Sequence, residues 1–405
     1  TVDYGDGTVA PLVIDPNSGA FALSHVYADN GAYTVNVTVT DDDGGTTADS
    51  ATVVVNNVAP AVDAGPDQVG NEGQACVGGG LVTDPGALDT WTGSADYGDG
   101  TVEPLAIDPN TATFTLGHVY ADNGTYTVTV TVTDDDGGSA SDTVTVLVNN
   151  VPPTVDAGPD QNLNEGDLFS SSGLVADAGE LDTWDGTVDY GDGSPPGPLV
   201  IEQTIGTFSF SHTYVDNGAY AVTVTVTDDD GGSSTDNMTV IVYNVPPTVD
   251  AGPDQTINEG DTFISNGLIT DPGVADTWTG TIEYGDGSPA ESLVIDQSTG
   301  MLVLSHVYAN NGQYVAIVTV TDDDGGSDTD SVAVTVNNVP PTVSVQYPVV
   351  TVNEAGVAAN NGNFGDVGVD TVTMTASVGG IGQSGTQSGT WSWAFTTADG
   401  PDQSQ

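Results

Sequence analysis

This chain of 405 residues contains no lysine and no arginine, yet it carries 58 aspartates and glutamates, for a formal net charge of −58. Charged residues make up only 14% of it, all of them acidic, where soluble domains usually carry about 25% with both signs mixed. No salt bridge to Lys or Arg can form anywhere. Self-repulsion must be relieved by dissolved salt or by bound cations. Without basic groups to meet phosphates, nucleic-acid binding is excluded, and so is attraction to anionic membrane surfaces. Cys76 is the only cysteine, so intrachain disulfides are impossible. Lack of lysine also excludes Lys–Asn isopeptide links. No apolar run approaches the ~20 residues of a membrane-spanning helix, and no segment carries an apolar stripe of helical period. The chain opens inside a repeat without a signal peptide, so an export signal is expected upstream.

A long-period repeat is present instead. Val-Thr-Val-Thr-Asp-Asp-Asp-Gly-Gly, or a close variant, places its first aspartate at Asp41, Asp134, Asp228 and Asp322, spacings of 93, 94 and 94 residues. Such a period denotes an array of small domains rather than a solenoid. Stiff linkers recur with it, as Asn149-Asn150-Val151-Pro152-Pro153 and Asn244-Val245-Pro246-Pro247; paired prolines fix φ and favour extended backbone. Cutting at the linkers gives a partial repeat (1–58), three full repeats (59–151, 152–245, 246–339) and a divergent, incomplete segment (340–405).

Within a repeat the apolar pattern has period two. Tyr126, Val128, Val130 and Val132 alternate with Thr127, Thr129 and Thr131, the signature of a half-buried strand. Turn clusters separate about seven such runs per repeat, which predicts an all-β sandwich. In the third repeat they fall near 154–156, 169–175, 184–190, 199–201, 208–214, 220–226 and 238–242. Cys76 stands where later repeats have Phe169 and Phe263, and is read as a core residue.

Tyr97-Gly-Asp-Gly, then His118-x-Tyr120 with Gly124-x-Tyr126, then the acidic turn, resembles the PKD domain, and the motifs recur in order over residues 1–339. That family implies immunoglobulin-like sandwiches, common in prokaryotic surface proteins and secreted enzymes. One departure is plain. The family's Trp before the Gly-Asp-Gly aspartate is replaced by Val2, Ala95, Val188 and Ile282, and Trp91, Trp184 and Trp278 earlier on the strand are expected to fill its volume. Residues 342–405 look like a further immunoglobulin-like repeat that stops before its last two strands. Those strands are expected either from further chain or from a neighbouring molecule.

Strand order in such a sandwich sends the AB, CC′ and EF loops to the end nearest the next repeat, and the BC and FG loops to the end nearest the previous one. The second repeat thereby offers Glu72, Asp99 and Asp122, with Asn149 and Asn150 of the linker. Facing them are Asp177, Asp182, Asp228 and Asp230 of the third. One repeat later, Glu165, Asp192, Asp216 and Asn244 face Asp271, Asp276, Asp322 and Asp324. Like charges meeting at a stiff joint call for a cation, and an all-oxygen donor set suits Ca²⁺ rather than zinc. The arrangement is also similar to the interdomain sites of cadherin-type repeats. The competing reading is that these aspartates only cap turns.

The histidines, one per repeat (His25, His118, His212, His306), and the tyrosines after the EF turn are read as structural. Nucleophilic catalysis needs a nucleophile beside an oriented base, and nothing in the sequence singles out one serine for that role. Asn36, Asn123 and Asn237 open glycosylation sequons compatible with an extracellular site. The expected function is a non-catalytic stalk, a linear rod of an adhesin-like surface or secreted protein. Its joints would be stiffened by Ca²⁺, and its partners would be copies of itself or other surface and matrix components, without nucleic acid or membrane insertion. Two alternatives stand beside it: a filament subunit completed by strand exchange, and a carbohydrate- or matrix-binding accessory region of a secreted hydrolase.

Overall fold

The computed structural model describes residues 1–398. Its regular structure is strand throughout, 32 strands and no helix among the described residues. Among the described residues no helix is long and apolar enough to cross a membrane. Contacts gather the chain into two units. One comprises Thr1–Gly158, Ser171–Phe210 and Val222–Met238; the other comprises Pro159–Ser170, Ser211–Ala221 and Thr239–Gln405.

The second repeat, in the first unit, shows the plan in full. Its strands are A (Ala61–Asp63), A′ (Gln68–Asn71), B (Ala75–Thr83), C (Trp91–Asp96), C′ (Val102–Leu105), E (Thr113–Val119), F (Gly124–Asp134) and G (Ser139–Asn149). One sheet has the order E-B-A and the other A′-G-F-C-C′. Alternation on F puts Val128, Val130 and Val132 in the core at 2% exposure or less, and Val144, Val146 and Val148 match them on G. Their threonine neighbours fall on the opposite face, as period two demands.

The strand count is eight rather than seven. The expected first strand splits: A pairs B antiparallel, whereas A′ pairs G in parallel, Val146↔Gln68 to Asn149↔Asn71. Gln-Val-Gly-Asn is too short and polar to declare itself as a strand. Acidic side chains hold the crossing between sheets. Asp142 accepts the buried Ala64 amide at 2.9 Å, and Asp67 accepts the Thr145 amide at 2.9 Å. Asp236 with Ala157, and Asp330 with Ala251, repeat the first of these bonds at 2.9 and 2.8 Å. Part of the acidity is thus backbone chemistry.

The first repeat, in the same unit, has one sheet of Val2–Asp3, Val9–Ala10, Gly31–Thr40 and Thr46–Val55 around Val2, Tyr4 and Val35. In the third repeat, Thr154–Asp156 pairs with Leu174–Ala176 within the first unit. Gln161–Asn164 pairs in parallel with Val240–Tyr243 within the second.

In the second unit the fourth repeat restates the plan. Its E-B-A sheet is Met301–Val307, Thr262–Thr270 and Thr248–Asp250. Its core includes Phe263, Leu302, Leu304, Tyr308, Val318, Val320 and Val334, none above 1% exposed. Phe263 faces His306 across the B–E ladder, the register at which Cys76 faces His118. Cys76 is buried and free, and burial pushes its thiol pKa up, so it acts as a small core residue. Beyond the fourth repeat, Thr342–Val343, Val357–Gly365, Ser388–Thr396 and Gly380–Ser384 form one sheet in that order. Trp391 is buried there, with its indole N–H on the Ser344 carbonyl at 3.0 Å. Glu354, the counterpart of Glu259 by sequence, is exposed rather than buried.

The tryptophan substitution resolves differently from expectation. Val2, Ala95, Val188 and Ile282 themselves occupy the inner position at 1–2% exposure. Trp91 and Trp278 pack only at the core edge. Truncating a buried phenylalanine leaves a cavity that a close-packed sandwich closes only in part. Phe263→Ala is expected to cost about 3–5 kcal/mol, read as a lowered urea midpoint of unfolding.

Candidate metal centres at the repeat junctions

Each junction is assembled by loops whose positions are set by aromatic side chains. In the second repeat, the Tyr126 hydroxyl donates to the Asp122 carbonyl at 3.0 Å. Its ring stacks on Tyr120 at 4.2 Å, and Tyr120 meets His118 edge-on. This tyrosine corner holds the EF loop against the core. The BC loop of the next repeat is anchored by Trp184, whose indole N–H donates to Asp177 Oδ2 at 2.9 Å. The two loops then join, because the Leu181 amide donates to the Ala121 carbonyl at 3.2 Å. The same bond recurs as Leu88 to Ala28, Ala275 to Val215 and Val369 to Ala309.

Between these loops the carboxylates converge. Glu72, Asp122 and Asp182 bring one oxygen each within 4.8 Å of one another, and so do Asp177, Asp182 and Asp228. Glu72 is fully buried and Asp182 is 6% exposed. Glu72 Oε1 accepts the Val151 amide of the linker at 2.5 Å, but Oε2 has no partner. Both oxygens of Asp182 are buried without a partner, as is Asn150 Oδ1. The amide of Asn150 donates to Asp228 Oδ2 at 3.1 Å, while Asp228 Oδ1 accepts the Asp230 and Gly232 amides. Two unit charges about 5 Å apart repel by roughly 3 kcal/mol at an effective dielectric of 20. Burial, then Glu72 and neighbouring aspartates, push the Asp182 pKa up to about 7. Burial likewise raises that of Glu72.

The next junction repeats this geometry within the second unit. Glu165, Asp271 and Asp276 converge within 4.8 Å. Glu165 is 1% exposed; Oε1 accepts the Val245 amide at 2.6 Å and Oε2 has no partner. Asp276 Oδ2 is orphaned too, and burial and Glu165 push its pKa up to about 7. Asp271 accepts the Trp278 indole N–H at 3.0 Å, and Asn244 donates to Asp322 at 3.1 Å. Asp216 is fixed through its carbonyl by Tyr220 at 3.0 Å. Asp322 Oδ1 accepts the Asp324 amide at 3.0 Å.

Other expected ligands are engaged elsewhere. Asp99 Oδ2 pairs with His118 Nε2 at 2.6 Å, because His118 stacks on Tyr97 directly behind that turn. Asp192 Oδ1 accepts the Ser194 amide at 3.0 Å. The side-chain amide of Asn149 donates to the Gly70 carbonyl at 3.0 Å, tying G to A′.

Sequence reasoning passed over the first junction. There Asp29, Asp89 and Asp136 converge, as do Asp84, Asp89 and Asp134. Register carries the signal, since Asp89 lies 93 residues before Asp182 and Asp84 lies 93 before Asp177. It also marks Glu259, the counterpart of Glu165, although that site differs. Asn310 stands where the earlier repeats have Asp122 and Asp216. Both Glu259 oxygens are satisfied there, by the Val339 amide at 2.7 Å and the Asn311 amide at 2.9 Å.

A buried ionised carboxylate without a partner is costly. This protein has no Lys or Arg to supply one, and protonation or a metal ion remains. Carboxylates with an amide carbonyl fit a hard cation of six to eight oxygen ligands. Glu72, Asp122, Asp177, Asp182, Asp228 and Asn150 could hold it at one junction, and Glu165, Asp271, Asp276 and Asn244 at the next. A pKa raised in the folded state means that folding takes up a proton, so the associated stability is full below about pH 4 and is lost as pH rises toward 7. In metal-free buffer the urea midpoint should fall across that window. Asp182→Asn should flatten part of the fall and raise stability at pH 7 by about 1–3 kcal/mol. An unchanged slope in the variant would contradict this account of the cluster.

Comparison with known proteins follows the same repeat. Residues 1–56, 57–148, 150–242 and 244–336 each match the family profile described as PKD domain. The human (Homo sapiens) dyslexia-associated protein KIAA0319 is 30% identical over 325 residues, covering 76% of this chain and 29% of its own length. The Rattus norvegicus homologue is 29% identical over 323 residues, with the same coverage. The chain thus spans less than a third of these relatives, both of them mammalian. Among solved structures, the I-band fragment I67–I69 of titin covers 70% of this chain and all of its own at a TM-score of 0.31 and 14% identity. The protocadherin GammaB4 extracellular domain covers 96% of this chain and 76% of its own at 0.29 and 14%. With four consecutive stretches matched across most of its length, the chain belongs to the PKD domain family.

Proposed function

We propose that this chain is a non-catalytic structural segment of a larger extracellular or cell-surface protein, with Ca²⁺ bound at its repeat junctions. The segment spaces or presents other parts of that protein, and its contacts are with copies of itself or with other surface and matrix components. One observation carries the reading: the buried, unpartnered carboxylates recur at the joints between repeats, at Glu72 and Asp182 and again at Glu165 and Asp276. A catalytic site has no reason to recur in register with the joints. A cation that fastens one repeat to the next does, because Glu72 and Asp122 stand before one linker and Asp182 after it, as Glu165 stands before the next and Asp271 and Asp276 after it. Extracellular calcium is abundant enough to fill weak all-oxygen sites with affinities of about 10⁻⁴–10⁻³ M. Membership of the PKD domain family supports a repeat-array role.

Thermal melting in calcium and in EGTA tests the reading. A ligand at a hundred times its dissociation constant stabilises the folded state by about 2.7 kcal/mol, so the melting temperature should rise by several degrees in calcium. Glu165→Gln should remove part of that rise. Small-angle scattering on the same samples should show a better-defined maximum dimension in calcium. Coincident melts and coincident scattering profiles in the two buffers would refute calcium stiffening.

A further inference from the structure

We infer that the junction between the second and third repeats holds two cations, with Asp182 as the carboxylate that bridges them. This rests on the calcium reading above and adds a second site to it.

Ligands of one calcium ion lie about 2.3–2.6 Å from it, so no two of them stand much more than about 5 Å apart. Glu72, Asp122 and Asp182 meet that limit, as do Asp177, Asp182 and Asp228. Asp182 is the residue that these two sets share. A single ion would serve one set and leave the other bare. Asp182 is suited to share: it is 6% exposed, and neither oxygen has a hydrogen-bond partner, so it has one oxygen for each ion. Glu72, a member of the first set, is fully buried and has one oxygen without a partner. Charge agrees with the count, since five carboxylates against one divalent ion leave three negative charges and against two leave one. The pattern is not confined to this joint. At the junction before it, Asp89 is likewise the one residue common to two acidic sets.

The backbone has been kept clear for the bridging group. A Cβ on Gly179 would lie 2.5 Å from Asp182 Oδ1, and one on Gly273 would lie 2.6 Å from Asp276 Oδ2. A larger residue at this turn would displace the carboxylate that both sets need.

Calcium counting by equilibrium dialysis, on the full chain at saturating calcium, tests the inference. Asp182→Asn should lower bound calcium by two ions per chain. Asp122→Asn and Asp177→Asn should each lower it by one. Asparagine at 177 can still accept the Trp184 indole N–H, so the loop anchor survives. Loss of one ion in Asp182→Asn and none in Asp177→Asn would overturn the two-cation site and leave the calcium reading standing. No calcium on the unaltered chain would overturn both. A second measurement avoids dependence on variant folding. Bridged ions sit about 4 Å apart, so the unaltered chain loaded with Tb³⁺ and Eu³⁺ should show strong energy transfer between them. Sensitised emission without transfer would also overturn the pair.

Discussion

Everything in this structure depends on carboxylates that have no cation of their own. A protein with lysine or arginine can answer a buried acid with a permanent cation of its own, and this one has none. Its acids therefore divide by the partner they find. Asp142, Asp67 and their counterparts take backbone amides and hold the crossing between sheets. Asp99 takes His118, and Asp286 takes His306 at 2.8 Å. Carboxylate oxygens left without a partner gather where one repeat meets the next, on Glu72, Asp182, Glu165 and Asp276. The division is spatial, and it makes the joints the places where an outside ion has most to contribute.

The sandwich brings this about with ordinary parts. Alternating valines bury one face of F and G, and the threonines between them leave the other face polar. Tyrosine corners then fix the EF loops, and tryptophans at the core edge fix the BC loops through Asp84, Asp177 and Asp271. Core packing and junction chemistry are coupled at these aromatics, because the same side chains that close the hydrophobic core also aim the acidic loops. The fourth repeat is an internal contrast. With Asn310 in place of an aspartate, Glu259 is satisfied by backbone amides alone.

Much of this was legible in the sequence, for identifiable reasons. Period-two alternation over ten or more residues marks F and G without ambiguity. The A′ strand was not legible, since four residues with a single apolar side chain, Val69, leave no pattern. The convergence of Glu72 with Asp182 followed from strand order, which assigns each loop to an end. That rule says nothing about which turn side chains point inward, and so it also gathered Asp99 and Asp192, although Asp99 answers a histidine on its own repeat. The role of the tryptophans was hidden for a similar reason: their volume can be read from sequence, but the direction of the indole N–H cannot.

The central claim is that an ion occupies the place that burial leaves open beside Glu72 and Asp182. Anomalous diffraction from crystals grown in calcium, and from matching crystals soaked in terbium, measures this directly. The account predicts anomalous peaks within about 2.3–2.6 Å of Glu72 Oε2 and an Asp182 oxygen, with equivalents beside Glu165 and Asp276. Crystals without such peaks, in which short contacts mark shared protons between these carboxylates, would contradict it.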